Sequence, residues 1–355
     1  MSKPATAKAP LPDFENLVRN GIDFLEKAIL QLNSDPKYSV INFYTAVEIF
    51  LKAPLVCEHW TLVVIGKELS RKKYEEGDFL SVSFEESCAR LGATLNKPLR
   101  SSAKEAFDKI RKHRNRIVHF YHKGIDGQQL DAIKLEQAQA WFELNRFVTE
   151  TWREQFAPFL IEFHRMERNL IESNQYAQVK YNNLKPKIEG LKIRGKTFEN
   201  CPKCKTNACL VEQEAPHLMH YDCMVCFYSE KQVQINCPAC GNPEQYVVAY
   251  DGFSCDKCEC QIVAQSDLFD FLDQNRTRGT KNHLDSNTPA NCDECQGYHT
   301  VCEYQGGYLC TNCLSYFGYV DSCQWCNEPM TGDTEHTYTN GCEHCEGYIG
   351  YSADD

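Results

Sequence analysis

Eight Cys-x-x-Cys pairs in the last 155 residues constrain the fold of this 355-residue chain more than any other feature. When consecutive pairs are grouped in twos, the two pairs of each group are separated by 18, 14, 14 and 15 residues. Each separation is the length of a β-hairpin with its turns, and two such pairs can hold one tetrahedral ion. The pairs are Cys201/Cys204, Cys223/Cys226, Cys237/Cys240, Cys255/Cys258, Cys292/Cys295, Cys310/Cys313, Cys323/Cys326 and Cys342/Cys345. The sequence therefore predicts four small β zinc ribbons with four structural Zn²⁺ ions, because four cysteines leave no open position for water.

The spacing leaves the connectivity of these sites open, since a cross-brace in which neighbouring sites interleave would use the same ligands. His217 and His220 lie between the two pairs of the first site, and either could replace a cysteine there. No secretory signal is visible, so the thiols are expected to stay reduced in the cytoplasm, which favours metal binding over disulfides. The other five cysteines are interpreted as small buried apolar side chains: Cys57, Cys88, Cys209, Cys260 and Cys302.

The second and third ribbons share one spacing, and each has a Gly-aromatic step, Gly252-Phe253 or Gly307-Tyr308, just before its second Cys pair. This similarity indicates internal duplication of a two-ribbon unit. We expect ribbons 1 and 2 over residues 197–265, a short helix and linker over 266–290, ribbons 3 and 4 over 291–350, and an acidic tail over 351–355.

The charged residues are divided between the N-terminal and C-terminal parts of the chain as unevenly as the cysteines are. Residues 1–200 carry 31 basic and 26 acidic side chains, whereas residues 201–355 carry 7 and 23. No Lys or Arg follows Lys281. Because binding to phosphates depends on Lys and Arg, the last two ribbons are a poor nucleic-acid surface, and a protein partner suits them better.

The N-terminal half has the apolar periodicity of helices. We expect a disordered tail over residues 1–12, an all-α bundle of at least four helices over 13–165, and a helical, basic linker over 166–196. The second helix is expected to end or kink at Pro54, and a long fourth helix is expected to run on to Pro158. No apolar run approaches the ~20 residues of a membrane span, so no membrane association is expected.

The third predicted helix ends in an unusual segment, because residues 111–123 contain five cations and three histidines. Arg114 lies between Ile110 and Ile117 on the apolar stripe, where an unpaired cation is costly, so an anionic group should meet it. His119 lies five residues from Arg114, about 140° around the helix axis. A single helix would not direct both groups at one atom, but two such helices facing each other across a two-fold axis could.

Such a cleft suits RNA cleavage without a metal ion. The histidine can take the proton of a ribose 2′-hydroxyl or protonate the leaving oxygen, and the arginine can offset charge on the phosphorane. The expected product is a 2′,3′-cyclic phosphate.

The residues from Arg114 to His119 resemble the Arg-polar-x-x-x-His signature of HEPN-domain ribonucleases, and residues 46–53 resemble the second HEPN helix. The resemblance covers roughly residues 13–165. It implies that Arg114 and His119 are catalytic, that Asn115 orients them, and that Glu48 is a candidate partner of Arg114. It also implies a homodimer. The basic helix is expected to hold RNA through Arg111, Lys112, Arg116, His122 and Lys123.

Two hypotheses follow for the whole chain, which is predicted to be multidomain. The first is a dimeric, metal-independent endoribonuclease of HEPN type, acting on tRNA, rRNA or mRNA as a toxin or antiphage-defence effector, with ribbons for regulation or target recognition. The alternative is a non-catalytic HEPN-like dimerisation or adaptor protein whose ribbons bind a protein partner. A transcription-associated ribbon protein is disfavoured by the acidity of the ribbons.

Overall fold

The computed structural model describes residues 12–66, 69–119, 127–274 and 287–350. The chain divides into two compact units, Met1–Lys187 and Ile188–Asp355, called here the helical unit and the ribbon unit. The first is helical, and the second is β-rich and contains four groups of four cysteines. The predicted division into a helical part followed by a β-rich, cysteine-bearing part is therefore confirmed.

The described residues contain eight helices that lie in the helical unit or, in the case of the last one, begin there. They are α1 (Pro12–Ser34), α2 (Pro36–Glu58), α3 (Arg71–Glu75), α4 (Phe84–Ala93), α5 (Ser101–His119), α6 (Gly127–Arg146), α7 (Leu160–Ile171) and α8 (Asn174–Ile193). Two short strands, β1 (Val64–Ile65) and β2 (Leu80–Ser81), pair antiparallel between α2 and α4. The periodicity of the sequence had given no sign of these strands.

Helix α2 lies at the centre of the helical unit and packs against α1, α4, α5 and α6. Its Phe50 is fully buried and meets the rings of Phe156 and Phe163 at centroid distances of 6.0 and 5.3 Å. Gly21 of α1 allows the close approach of the two helices, because a Cβ atom there would lie 2.8 Å from Cζ of Phe50. By length and composition alone α2 could also cross a membrane, but 61% of its most apolar stretch is buried inside the unit, as in a central bundle helix.

Two expected helix ends are wrong. Helix α2 does not end at Pro54 but continues to Glu58, since Leu55 and Val56 are core residues whose burial outweighs the loss of one backbone hydrogen bond. The other expected outcome, a kink at Pro54, stays a prediction. The long fourth helix is interrupted instead: α6 ends at Arg146, and a π-helical turn (Phe147–Thr151) and a short 3-10 turn (Ala157–Phe159) follow. Trp152 and Phe156 of this irregular stretch are both buried.

The helical unit extends further along the chain than the bundle expected over residues 13–165. Met166 and Leu170 of α7 and Tyr176 of α8 are buried in it, so most of the stretch expected to be a linker is part of the unit.

The described part of the ribbon unit forms two sheets. Their strands are β3 (Thr197–Glu199), β4 (Cys209–Ala215), β5 (Leu218–Cys223), β6 (Ser229–Ile235), β7 (Gln245–Val248), β8 (Gly252–Ser254), β9 (Gln261–Ile262), β10 (Ala290–Cys292), β11 (Gly297–Tyr304), β12 (Gly307–Cys310), β13 (Tyr316–Phe317), β14 (Asp321–Ser322) and β15 (Pro329–Met330). The first sheet has the order β3-β4-β5-β6-β7-β8-β9 and is antiparallel throughout. The second has the order β13-β12-β11-β10-β15-β14, and among these described strands only β10 and β15 run parallel.

Helix α9 (Gln265–Leu272), which the sequence predicts within one residue of its start, joins the first three ribbons. Its Phe269 belongs to one core with Leu218, Phe253 and Leu309, one residue from each ribbon. The fourth ribbon attaches through the β10–β15 pair and carries two short helices, α10 (Thr337–Asn340) and α11 (Gly347–Gly350). Most of the expected linker lies outside the described residues.

Candidate metal centres and candidate active site

The described part of the ribbon unit contains four separate groups of four cysteines, and the four Sγ atoms of each group lie around a point of their own. Within each group all Sγ atoms lie within 4.8 Å of one another, and the hydrogen-bonded Sγ pairs are 3.4 to 3.8 Å apart. Tetrahedral coordination with metal–sulfur bonds of about 2.3 Å requires Sγ–Sγ distances of roughly 3.8 Å, whereas a disulfide requires about 2.05 Å. The groups therefore have the geometry of metal sites, and each could hold one metal ion.

Each group consists of two consecutive Cys-x-x-Cys pairs, so the connectivity is sequential and not a cross-brace. The four groups are Cys201/Cys204/Cys223/Cys226, Cys237/Cys240/Cys255/Cys258, Cys292/Cys295/Cys310/Cys313 and Cys323/Cys326/Cys342/Cys345. Neither candidate histidine joins the first group. His220 lies 3.0 Å from Ser229 Oγ and 3.1 Å from a carboxylate oxygen of Glu214, and His217 occupies the β4–β5 turn with φ of 63°.

Five of the eight cysteine pairs lie on tight turns of one repeated kind. In these turns the N–H after the second cysteine donates to the carbonyl of the first, as from Lys205 to Cys201 (2.9 Å) and from Leu314 to Cys310 (2.9 Å). This turn directs both Sγ atoms to one side and requires a positive φ, which is strained for residues other than glycine. Six residues that directly follow a pair have it: Lys205, Phe227, Gly241, Gln296, Leu314 and Asn327.

Hydrogen-bond donors surround the sulfur atoms, as expected of thiolate ligands. In the third group the Thr300 hydroxyl lies 3.2 Å from Cys310 Sγ, and the Asn312 side chain donates to Cys295 Sγ at 3.5 Å. The cysteines outside the groups differ, because burial raises the pKa of Cys209 to about 12 and of Cys88 to about 11. These two and Cys302 are buried, as expected of apolar residues, whereas Cys57 and Cys260 are only half-buried.

Arg114 on α5 is half-buried, and its guanidinium contacts an aromatic ring and a side-chain amide. Its guanidinium lies 5.9 Å from the ring centroid of Tyr44 on α2, and its Nη1 donates to Asn115 Oδ1 at 3.1 Å. Its Nε is buried without a hydrogen-bond partner. No carboxylate of the described residues lies within 4 Å of this guanidinium, so the anion that its position calls for does not come from the described part of its own chain.

Glu48, the candidate partner of Arg114, lies one turn beyond Tyr44 on α2 and is half-buried. In the described part of the chain it forms no ion pair with Arg114. The charge of Glu48 nevertheless affects Tyr44, the residue that supports Arg114. Burial raises the pKa of Tyr44, Glu48 raises it further, and the charges of Arg111 and Arg114 lower it. Glu48 also partly offsets the burial that lowers the pKa of Lys52.

His119 is the last residue of α5, and its side chain is exposed. It has no hydrogen bond or ion pair to any described residue, and it lies about 140° around the helix from Arg114. One chain does not bring the two predicted catalytic groups together, so the cleft between two chains stays a prediction. By contrast, His113 Nε2 lies 2.5 Å from a carboxylate oxygen of Glu136 on α6, which fixes this ring inside the unit.

Acidic neighbours already occupy two of the predicted RNA contacts. Arg111 donates to Asp108 at 2.6 Å and lies 3.6 Å from Glu85, and Lys112 Nζ lies 2.8 Å from Asp108. Hydrogen bonds from Lys112 and Arg111 accordingly lower the pKa of Asp108. Arg116 is exposed with no acidic partner among the described residues, whereas His122 and Lys123 lie outside them.

Tyr44 is the site residue that sequence reasoning missed. It lies on the apolar stripe of α2, as an ordinary core residue would, and it is 98% buried. Only the structure shows that its ring supports the guanidinium of Arg114. In the sequence, a tyrosine that contacts a half-buried arginine of another helix has the same pattern as any other core tyrosine.

Comparisons with known protein families, curated proteins and solved structures found no match for this chain. The HEPN resemblance therefore rests on α5 and on Glu48 of α2.

Proposed function

We propose that this chain is a metal-independent endoribonuclease of HEPN type that acts as a dimer, with structural Zn²⁺ in its four cysteine groups. A toxin or antiphage-defence role in the cytoplasm fits such an activity. The observation that carries the proposal is Arg114: a half-buried guanidinium, supported by Tyr44 and Asn115, with a buried Nε and no carboxylate partner among the described residues. A phosphodiester is an anion that would pair with such a planar group.

His119 supplies the proton transfer in this proposal. Its exposed position at the end of α5 lets the ring face an RNA strand held against Arg114 of a second chain. The ring takes the proton of the 2′-hydroxyl, the 2′-oxygen attacks phosphorus, and the 5′-oxygen leaves and takes up a proton. Arg114 offsets the charge on the phosphorane. The products are a 2′,3′-cyclic phosphate and a 5′-hydroxyl.

Zinc is the proposed metal because four thiolates at near-tetrahedral spacing are a typical set of zinc ligands. All four positions in each group are cysteines, so these ions hold the ribbons together and leave the RNA chemistry to the helical unit. Near the sulfur atoms, Thr300 and Asn312 provide the outer hydrogen bonds such sites use.

The experiment is an RNA-cleavage assay with metal-loaded protein, without added divalent ions, on tRNA and mixed RNA. We expect cleavage that leaves cyclic phosphates and falls by about 10²–10⁴-fold in Arg114→Ala and in His119→Ala. Arg146→Ala is the matched control, since Arg146 also lies over a ring, 5.7 Å from Phe142. His164→Ala controls for loss of an exposed histidine. Equal activity of all four variants, or activity only with added divalent metal, would contradict the proposal.

The adaptor alternative is favoured by a separate observation, the neutralisation of Arg111 and Lys112 by Asp108. An adaptor would dimerise and retain its ribbons, but it would cleave none of the RNAs tested. The same assay therefore separates the two functions.

A further inference from the structure

A cluster of three aromatic rings, two of them exposed, lies on the fourth ribbon. Trp325 lies between the ligand candidates Cys323 and Cys326, Tyr338 belongs to α10, and Tyr348 belongs to α11. Tyr338 and Tyr348 are 50% and 58% exposed. We refer to these three residues as the aromatic cluster.

The three rings are in contact, and the two tyrosines remain exposed to solvent. The Trp325 ring is nearly perpendicular to both tyrosines, at 75° and 73°, with centroids 5.5 and 6.0 Å away. The two tyrosine rings lie within 10° of parallel, 6.1 Å apart. Neither tyrosine belongs to the two apolar cores found among the described residues of the ribbon unit.

The backbone holds the cluster in place. Gly341, at φ 76°, separates α10 from the last cysteine pair, and a Cβ atom there would collide with the carbonyl of Cys345. Gly347, at φ 64°, begins α11 and allows a similarly close approach. The tyrosines therefore sit on short helices fixed directly to the turn that presents Cys342 and Cys345.

The charge around the cluster is of one sign. Residues 321–350 contain six carboxylates and no Lys or Arg. All eight cation–π contacts found among the described residues lie in the helical unit, so none of them covers the ring of Tyr338 or Tyr348. Electron-rich ring faces surrounded by carboxylates attract organic cations and repel phosphates.

We propose that the aromatic cluster binds a Lys- or Arg-rich segment of a protein partner. A side-chain cation of the segment lies over the exposed tyrosine faces, and neighbouring cations meet the carboxylates of the fourth ribbon. Nucleic acid does not suit this surface, because its phosphates would face carboxylates with no cation between them. The binding goes beyond RNA cleavage and does not depend on it.

The test uses the full-length, metal-loaded protein and a short fluorescent peptide of alternating arginine and glycine. We expect binding that weakens by roughly tenfold when both tyrosines become leucine, since each ring face contributes a cation–π contact. The double change of Tyr338 and Tyr348 to phenylalanine keeps the ring faces and should retain the affinity. Tyr319→Leu is the matched control, because Tyr319 is an exposed tyrosine of the same acidic region with 66% of its surface free.

A second peptide, with neutral citrulline in place of arginine, separates cation binding from apolar contact and should not bind. Metal content measured on every variant shows whether the fourth ribbon is intact. A photo-crosslinking arginine peptide on the unmodified protein gives a readout that needs no variant, and the cross-links should map to residues 323–350. The proposal is overturned if the leucine variant binds like the unmodified protein, if the citrulline peptide binds equally well, or if the cross-links map elsewhere.

Discussion

The helical unit and the ribbon unit have different sources of stability. Of the twelve largest fully buried side chains among the described residues, eleven lie in the helical unit, and only Phe253 lies in the ribbon unit. A unit with few large buried side chains needs another source of stability, and metal ions held by the four cysteine groups would provide it. The unit with the apolar core also carries Arg114 and His119. The apolar core of the helical unit can thus offset the cost of Arg114, a half-buried cation with no carboxylate partner among the described residues.

Removal of the metal should have the largest effect and should separate the two units. A structural zinc site contributes about 10 kcal/mol or more to folding, so chelation should unfold residues 188–355. The α-helical circular dichroism of the helical unit should persist. Limited proteolysis followed by mass spectrometry measures this: the helical unit should survive as a fragment. Protease resistance of the ribbons after complete metal loss would show that their cores suffice without metal.

Replacement of a single cysteine ligand tests the same dependence of the ribbon unit on metal. Cys255→Ser should lower the metal content from four ions per chain to three, because serine oxygen is a poor replacement for a thiolate. Cys260→Ser is the matched control, since Cys260 lies in the same ribbon outside the group, and it should retain four. Native mass spectrometry counts the ions. Equal metal content of both variants would contradict the assigned ligands.

A cavity in the core of the helical unit should lower stability without changing the metal content. Phe50→Ala removes a fully buried ring and should lower the free energy of unfolding by about 3–5 kcal/mol while the metal content stays unchanged. Thermal denaturation followed by helical circular dichroism gives the first quantity. A stability close to that of the unmodified chain would mean that the helical unit does not depend on this core.

The smallest predicted effect concerns charge on α5. Asp108→Asn frees Lys112 and removes the nearer of the two acidic partners of Arg111, so RNA affinity should rise a few-fold at low salt, with a steeper dependence on salt concentration. Glu105→Gln is the control, an acid of the same helix with no ion pair among the described residues. Affinity unchanged in both variants would place the RNA away from this end of the helix.

The same carboxylate sets a pH dependence. The pKa of Asp108 is lowered in the folded chain by hydrogen bonds from Lys112 and Arg111, so its contribution to stability is present above the unfolded value of about 4 and is lost as pH falls through the folded value. Asp108→Asn should therefore flatten the decline of stability in acid slightly. An unchanged acid profile would show that the ion pairs do not persist in solution.

Repetition made the ribbon unit the more predictable half. The spacing of the eight pairs identified the sixteen candidate ligands, because a hairpin of fixed length brings its two ends together whatever its other residues are. Only the structure distinguished sequential grouping from a cross-brace. The strained turns at Phe227 and Leu314 were not visible in the sequence, since neither residue favours a positive φ. The core shared by α9 and three ribbons was also missed, because contacts between modules leave no periodic pattern.

In the helical unit, periodicity located most helices but not their ends. Pro54 did not end α2, and the irregular turns after Arg146 replaced a long helix, because tertiary packing outweighed local preference at both places. The position of Arg114 on the buried stripe was predictable from its spacing to Ile110 and Ile117. Its support by Tyr44 was not, since that contact joins two helices far apart in the chain.

The central claim is that Arg114 of one chain and His119 of another act on the same RNA phosphate. Mixing inactive Arg114→Ala and His119→Ala proteins, with exchange of subunits verified by native mass spectrometry, tests it most directly. Each mixed dimer would carry one cleft with both residues intact, so metal-independent RNA cleavage should reappear in proportion to the mixed dimer. Mixed dimers that form and cleave no RNA would contradict the account.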